Sequence, residues 1–471
     1  MLAGLVLLAL VTVLVVTMFV DPNHFRGQIE SAITQATGQP FDIEGDLEIA
    51  WFPWLALRMG PAQFGKPGGS ENQPIVQWES ARVGARLVPL LKGQLLIDTV
   101  RLDGPKIYLA RGRDGRGNWE EMIAAFKAKG QSPAPPATTP ARPGPQIEGF
   151  QIRNGTLLFV DELPGTATGE PADEARDGRP GNATGREGQP EAVGTAAPRR
   201  FMLTSWSLDV GEWRAGTTFP VKTEFVLHSG DTLLADEVAL SARVHVSDDS
   251  NDIDLFGLEL ESRIHGGALP ASGLAVELEV SRLAARLTPL DVAISELSAR
   301  VADVKLTTSV QAGESGAAKT PYARGPIAVD VPSVRAFLKL LGVDIPLPLD
   351  PSTLGKMRLN SMVEWMDGAV TVNDINVEID ETRLNGQLSR TSGAAPVWTF
   401  ALHGDKIGLS RYIAIEDKSK EPFELPVAAL KALQVQGELT FDQAWLEDAQ
   451  MKGVKLRLEL EDGAVKTAAS Q

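Results

Sequence analysis

"DGAVTVNDINVEIDETRLNGQLS", residues 367–389, is the stretch on which the fold turns. Within it Ile375, Val377 and Ile379 alternate with Asn376, Glu378 and Asp380, a period of two that gives an extended strand one apolar and one wet face. A helix would need its apolar residues three and four apart. The same alternation recurs in "VELEVS" (Val276, Leu278, Val280), "QVQGELTF" (Val435, Leu439, Phe441), "TRLNGQLS" (Leu384, Leu388) and "KLRLELE" (Leu456, Leu458, Leu460). Asp367-Gly368, Asn385-Gly386 and Asp462-Gly463 supply the positive-φ positions of tight turns, so neighbouring strands are expected to be antiparallel hairpins.

Helical periodicity is sparse. "DPNHFRGQIESAITQATG" (21–38) places Phe25, Ile29, Ile33 and Ala36 on one face, between Pro22 and Gly38. Further helices are expected at 118–129 and 332–341, with short turns near 351 and 426. So few helices cannot cover the apolar faces of roughly 16 to 20 strands. The sheet then closes on itself as a sandwich or barrel, or forms a trough whose apolar face is filled by something else.

Composition removes several function classes. The chain has 61 acidic against 45 basic residues and a net charge of −16, which argues against nucleic acid as a partner. It has no cysteine, hence no disulfide, thiolate nucleophile or zinc-thiolate site. The five histidines, at 24, 228, 245, 265 and 403, show no metal-ligand spacing. "SDDSNDIDLFG" (247–257) has Asp254 where a calcium loop needs glycine and reads as a solvated hairpin tip. "RGRDGRGNW" (111–119) lacks the ending of a phosphate loop and reads as a turn whose Asn118 caps the following helix. The chain is expected to be no enzyme and to need no cofactor or metal.

Residues 1–20 carry no charge and, at about 1.5 Å per residue, reach roughly 30 Å, the thickness of a bilayer core. Without a basic leader or an A-x-A-like cleavage site the segment reads as a retained transmembrane anchor. The acidic bulk behind it suggests export. Five regions follow: the anchor 1–20, a β region 21–129 with its amphipathic helix, a Pro-rich linker 130–145, a central β region 146–325 with a low-complexity insertion at 162–200, and C-terminal β repeats 326–471.

"EIAWFPWLALRMG" (48–60) is a further strand, interrupted by Pro53. Leu55, Leu57 and Met59, with Trp51, form the face assigned to the apolar interior; Phe52 and Trp54 fall on the other, where they are candidates for a membrane-proximal rim.

Several stretches together resemble the AsmA family of Gram-negative envelope proteins: the anchor followed by "VDPNHFRGQIESAITQATGQPFDIEGDLEIAWFPWLALRMG" (20–60), then "LLKGQLLIDTVRLDGPKIYLARGRDGRGNWEEM" (90–122), then "LDPSTLGKMRL" (349–359) and "LPVAALKALQVQGELTFDQAWLEDAQMKGVKLRLELEDG" (425–463). Their order and spacing carry the resemblance, which extends over nearly the whole chain apart from the two low-complexity stretches. The family pattern continues beyond the "LEDGAVKT" ending near Gln471, so the last region reads as truncated against it.

The resemblance implies a mainly β protein: an N-terminal transmembrane helix, then an elongated, curved antiparallel sheet trough with a few short helices. It implies a place in the inner membrane with the bulk in the periplasm, kinship to bridge-like lipid transfer proteins, and phospholipid movement between the inner and outer membranes in support of outer-membrane homeostasis. The groove candidates are Leu55, Leu57, Met59, Val276, Leu278, Val280, Ile375, Val377, Ile379, Leu456, Leu458 and Leu460. Expected partners are phospholipid acyl chains, the inner membrane through residues 1–20, and outer-membrane or assembly-machinery proteins. The alternative is a non-enzymatic scaffold or regulator of outer-membrane protein assembly with a closed β core.

Overall fold

The computed structural model describes residues 21–50, 55–68, 72–85, 96–120, 124, 146–163, 198–213, 216–412 and 434–470, apart from a few positions within the last two spans, 343–349 among them. Residues 1–20, Trp51, Phe52 and Trp54, most of the helix expected at 118–129, the linker 130–145, most of the insertion 162–200, the turn near 426 and Asp462-Gly463 lie outside the described residues. The described residues form 24 strands and two α-helices, and the protein is mainly β. None of those helices is long and apolar enough to cross a membrane. Two compact units divide the chain: Met1–Ser207 with Val226–Thr232, and Leu208–Phe225 with Leu233–Gln471.

In the first unit Asp21 caps a 3-10 turn at Pro22–Phe25, and α1 (Arg26–Thr37) ends at Gly38, whose φ of 71° and amide bond to the Thr34 carbonyl make it a left-handed cap. The strands are β1 (Phe41–Ile43), β2 (Leu47–Ala50), β3 (Leu55–Met59), β4 (Ala62–Phe64), β5 (Val76–Trp78), β6 (Ser80–Ala85), β7 (Leu96–Asp103), β8 (Lys106–Arg111), β9 (Gln146–Asp161) and β10 (Arg199–Val210). Their registers pair off as halves. β1 pairs with β4 while β2 pairs with β3, β4 pairs with β5 while β3 pairs with β6, and both β7 and β8 lie along β9. Each pair of short strands is therefore one long row broken in the middle. The breaks line up across the sheet at Gly45, Gly60-Pro61, Glu79, Gly104-Pro105 and Asn154-Gly155, bridged by Gly60 N–H to Asp46 O (3.0 Å), Glu79 N–H to Asp103 O (3.1 Å) and Gly104 N–H to Arg153 O (2.8 Å). At this crease a Cβ on Gly60 would stand 2.9 Å from the Gly45 Cα, so two backbones meet where side chains would keep them apart. The broken rows raise the strand number above the expected 16 to 20.

The second unit holds the end of β10 and most of β11 (Thr218–Ser229) and β12 (Thr232–Val246). There follow β13 (Asp252–Ile264), β14 (Leu274–Arg286), β15 (Asp291–Val301), β16 (Val304–Ser315), β17 (Thr320–Val331), α2 (Val334–Leu340), β18 (Met357–Met366), β19 (Ala369–Ile379), β20 (Thr382–Arg390), β21 (Val397–Gly408), β22 (Gln434–Leu446), β23 (Ala449–Glu461) and β24 (Ala464–Ser470). From β12 to β21 every neighbour is antiparallel, and Ser247–Asn251 is the turn between β12 and β13.

Three sequence expectations are corrected. The sheets are mixed: β7 and β8 run parallel to β9, and β21 runs parallel to β22. Parallel neighbours need a crossover connection, and long segments, 112–145 and 409–433, stand at these places. Asn385-Gly386 is no turn. Gly386 lies inside β20 because a Cβ there would come within 2.1 Å of the Ala401 carbonyl oxygen. Asn118 does not cap a helix; its side chain accepts from Ala110 N–H (3.1 Å) and donates to Tyr108 O (3.0 Å), tying the 111–119 turn back to β8.

The parallel β21–β22 pair is held by two reciprocal fits. Phe400 lies opposite Gly437 and Gly404 opposite Phe441, each ring over the neighbouring glycine, where an added Cβ would come within 2.3 Å of it. Gly404→Val or Gly437→Val is expected to lower stability by about 1–3 kcal/mol through overpacking, measured by denaturant unfolding, with Leu402→Val as a milder control.

Candidate functional site

The antiparallel registers of β12–β21 and the following pairs align apolar side chains into rows that cross the sheet. One row runs Leu240, Leu260, Leu278, Ala299, Leu306, Val329, Leu359, Val377 and Leu384, each directly opposite the next, and continues through Gly404 and Phe441 to Val454. Such opposed pairs are the unit of sheet stabilisation. The expected positions Val276, Leu278, Val280, Ile375, Val377, Ile379, Leu456, Leu458 and Leu460 all take their places in these rows, so the structure brings them to one face. Covering is uneven along it. Val280 is 5 % exposed, whereas Trp365 and Leu456 keep 37 % and 39 % of their surface in solvent. Among the described residues no second sheet is packed on this face.

Charges occupy the other face, where the same registers turn them into cross-strand ladders. Glu277 pairs with Arg300 (2.7 Å), Asp330 with Arg358 (3.5 Å), and Glu378 with Arg383 (3.2 Å). The Lys455 ammonium of β23, 2.9 Å away, holds the Glu438 carboxyl of β22 below its ordinary range. These pairs are exposed and each contributes little to stability; their effect is to keep that face solvated.

A face this wide survives only because β-bulges repair the phase. β13 carries one more residue than β12 between Ser241 and Arg243, β15 one more than β16 between Ile294 and Leu297, and β19 one more than β18 and β20 around Asn373–Ile375. Gly257, Glu296 and Asp374 take positive φ there, at 54°, 52° and 52°. On β19 the apolar face is thus made by Val370 and Val372 on one side of the bulge and by Ile375, Val377 and Ile379 on the other. Beside the Glu296 bulge opens a cavity of about 420 Å3, lined by Leu297, Thr308, Pro326, Ile327 and Ser361 among others. Sequence alternation missed Val370 and Val372 because they are out of step with their own strand; the three-residue gap to Ile375 was the available signal.

The remaining groove candidates belong to the first unit. Leu57 and Met59 pack against the buried cluster of Phe41, Ile43, Leu47 and Ala62, together with Ile29 and Ile33 of α1. They close the core beneath the helix, and Phe41 stacks on Trp78 at 5.7 Å. Leu55 begins β3, opposite Ala85. Ala56, on the face opposite Leu57, is 1 % exposed, so both faces of this strand are covered there.

A polar cluster that no sequence pattern announced ties the β17–β18 connection to the β19–β20 and β21 ends. Asp350 accepts from the Ser352 hydroxyl (2.6 Å) and amide (2.8 Å) and from Arg411 (2.7 Å), and these bonds hold its carboxyl at about 2. Asp380 accepts from Leu354 N–H, Gly355 N–H and the Tyr412 hydroxyl (2.7 Å). Burial, then that bond, pushes Tyr412 up to about 12. Every member is partnered, which makes the cluster a clamp rather than a reactive site. Among the described residues no group of His, Asp or Glu is arranged to hold a metal.

A mainly β protein with a helix-capped N-terminal sheet and, in its second unit, an apolar sheet face is the class these features define. Residues 1–168 match the AsmA family. The match ends shortly after β9; the C-terminal stretches resemble the family without being covered by it. Protein AsmA of Escherichia coli (strain K12) is 31% identical over 92 residues, which is 20% of this chain and 15% of that protein. The chain thus aligns with only a small part of this curated relative's length. No solved structure matches.

The clamp makes a pH prediction. Asp350 is depressed in the folded state, so its contribution is present above its ordinary value near 3.8 and is lost as pH falls toward about 2. Asp350→Asn is expected to destabilise the protein at neutral pH, and its deficit against the parent should shrink between about pH 4 and pH 2, measured as thermal midpoints across that range.

Proposed function

We propose that this protein binds phospholipid by its acyl chains along the apolar face of β12–β23 and conducts it passively between the inner and outer membranes, with residues 1–20 as the inner-membrane anchor and the bulk of the chain in the periplasm. The observation that carries this reading is the row structure: one apolar face spans twelve strands without a covering layer among the described residues. Each square ångström of apolar surface that leaves water contributes roughly 25 cal/mol, so half-covered Leu, Val and Ile side chains offer acyl chains a replacement for water. The charged back face stays wet. Neither a covalent step nor a nucleotide is part of this mechanism. The match to the AsmA family and the apolar 20-residue N terminus support the envelope location.

A photocrosslinking residue at Val377 or Leu278 should yield phospholipid adducts in cells, detected by mass spectrometry, and one at Glu378 or Glu279 should not. Equal labelling of both faces, or of neither, would leave a ligand-free scaffold as the better account. Val377→Glu or Leu458→Glu is expected to abolish lipid co-purification, because it buries a charge against the acyl chain.

A further inference from the structure

Arg390 stands at an apolar phase of β20. Its strand neighbours on that face are Leu384, Gly386 and Leu388, and its row reads Ala323, Trp365, Val370, Arg390, Trp398 and Val435. Between Ile253 and Leu460, at the two ends of that row, no other member is charged. The guanidinium lies over the Trp398 ring, 5.9 Å from its centroid, and one nitrogen donates to the Gly368 carbonyl at 3.0 Å. Arg282, Arg286, Arg300, Arg358 and Arg383 each pair with a carboxylate at 2.7 to 3.5 Å. Arg390 forms no such pair among the described residues.

A half-buried guanidinium on an apolar surface is costly unless an anion meets it, and its planar fork fits a phosphate. Tryptophans belong where an apolar body meets a polar layer, and Trp365 and Trp398 lie in the same row. Distance along the strand fits as well. From Arg390 to Leu384 is six residues, about 20 Å at 3.3 Å each, against about 15 Å for the hydrocarbon of one bilayer leaflet. An acyl chain laid along β20 and its neighbours would bring its head group to the guanidinium.

We propose that Arg390, seated between Trp365 and Trp398 on the apolar face, binds the phosphate head group of a lipid whose acyl chains lie along the rows below it. The site rests on the lipid-carrying reading and adds selectivity to it: lipids bearing a phosphate are held over uncharged ones with the same chains. Trp398 is a positioning residue, holding the guanidinium over its ring.

The test uses the delipidated full chain in detergent and compares binding of fluorescent phosphatidylglycerol with that of diacylglycerol carrying the same label and chains. Arg390→Gln is expected to weaken phosphatidylglycerol binding about tenfold, the loss of one or two charge-assisted hydrogen bonds, with diacylglycerol binding unchanged. Arg390→Lys, which keeps the charge and the fold, should fall between the parent and Arg390→Gln. Unchanged phosphatidylglycerol binding in Arg390→Gln, or equal loss for both lipids in Arg390→Lys, overturns the head-group site while leaving the groove in place. Failure of the parent protein to bind either lipid overturns the groove reading and the site with it. Competition by excess inorganic phosphate without any preference between the two lipids would assign Arg390 to free phosphate instead.

Discussion

A strand sends successive side chains to opposite faces, so an apolar face twelve strands wide exists only where every strand meets its neighbour in phase. A slip of one residue anywhere in β13–β22 would put glutamates where leucines stand. The backbone ladder itself is indifferent to this; hydrogen bonds form in either register. Burial of one face and the placement of bulges decide between them, and in this chain the bulges at Gly257, Glu296 and Asp374 let strands of unequal phase share a common face.

Much of this was legible from local pattern. Ile375, Val377 and Ile379, Val276 to Val280, and Leu456 to Leu460 announced themselves by alternation and arrived on one face, because alternation is a property of the strand alone. Helix α1 was legible from its spacing and its caps at Pro22 and Gly38. What local pattern could not carry was anything set by a distant partner. Gly386 looked like a turn residue and is a point of close strand approach; the parallel β21–β22 pair depends on where a crossover delivers the chain; Leu57 and Met59 looked like their counterparts in the second unit but pack against the buried cluster that α1 also covers. Arg390 was readable in principle, since it shares the phase of Leu384 and Leu388, yet one charge among alternating residues draws no notice until the rows around it are known.

The two units use backbone irregularity for different ends. In the first, the line from Gly45 to Gly155 breaks the short rows at one level, and the strands on either side of it belong to separate short ladders, with β9 alone running through. In the second, irregularities are single extra residues that leave the rows intact. The family match covers the first kind of sheet, up to residue 168. The extended apolar rows lie beyond it, so the family match and the apolar face are independent strands of argument about the same molecule.

The bulge at Asp374 also sets what the sequence is free to become. Exchanging Leu for Ile or Met on the face preserves its character, and such volume-conserving changes cost little. Removing one residue from a regular stretch, such as Glu378 between Val377 and Ile379, would turn one side of the strand over while every remaining side chain kept its identity, whereas removing one at Asn373–Asp374 would take out the bulge and leave Val372 in step with Ile375. Away from the bulges, tolerance to substitution and intolerance to single-residue deletion should therefore coincide in these strands, and drift over time would show as varied apolar lettering spelled at a fixed spacing.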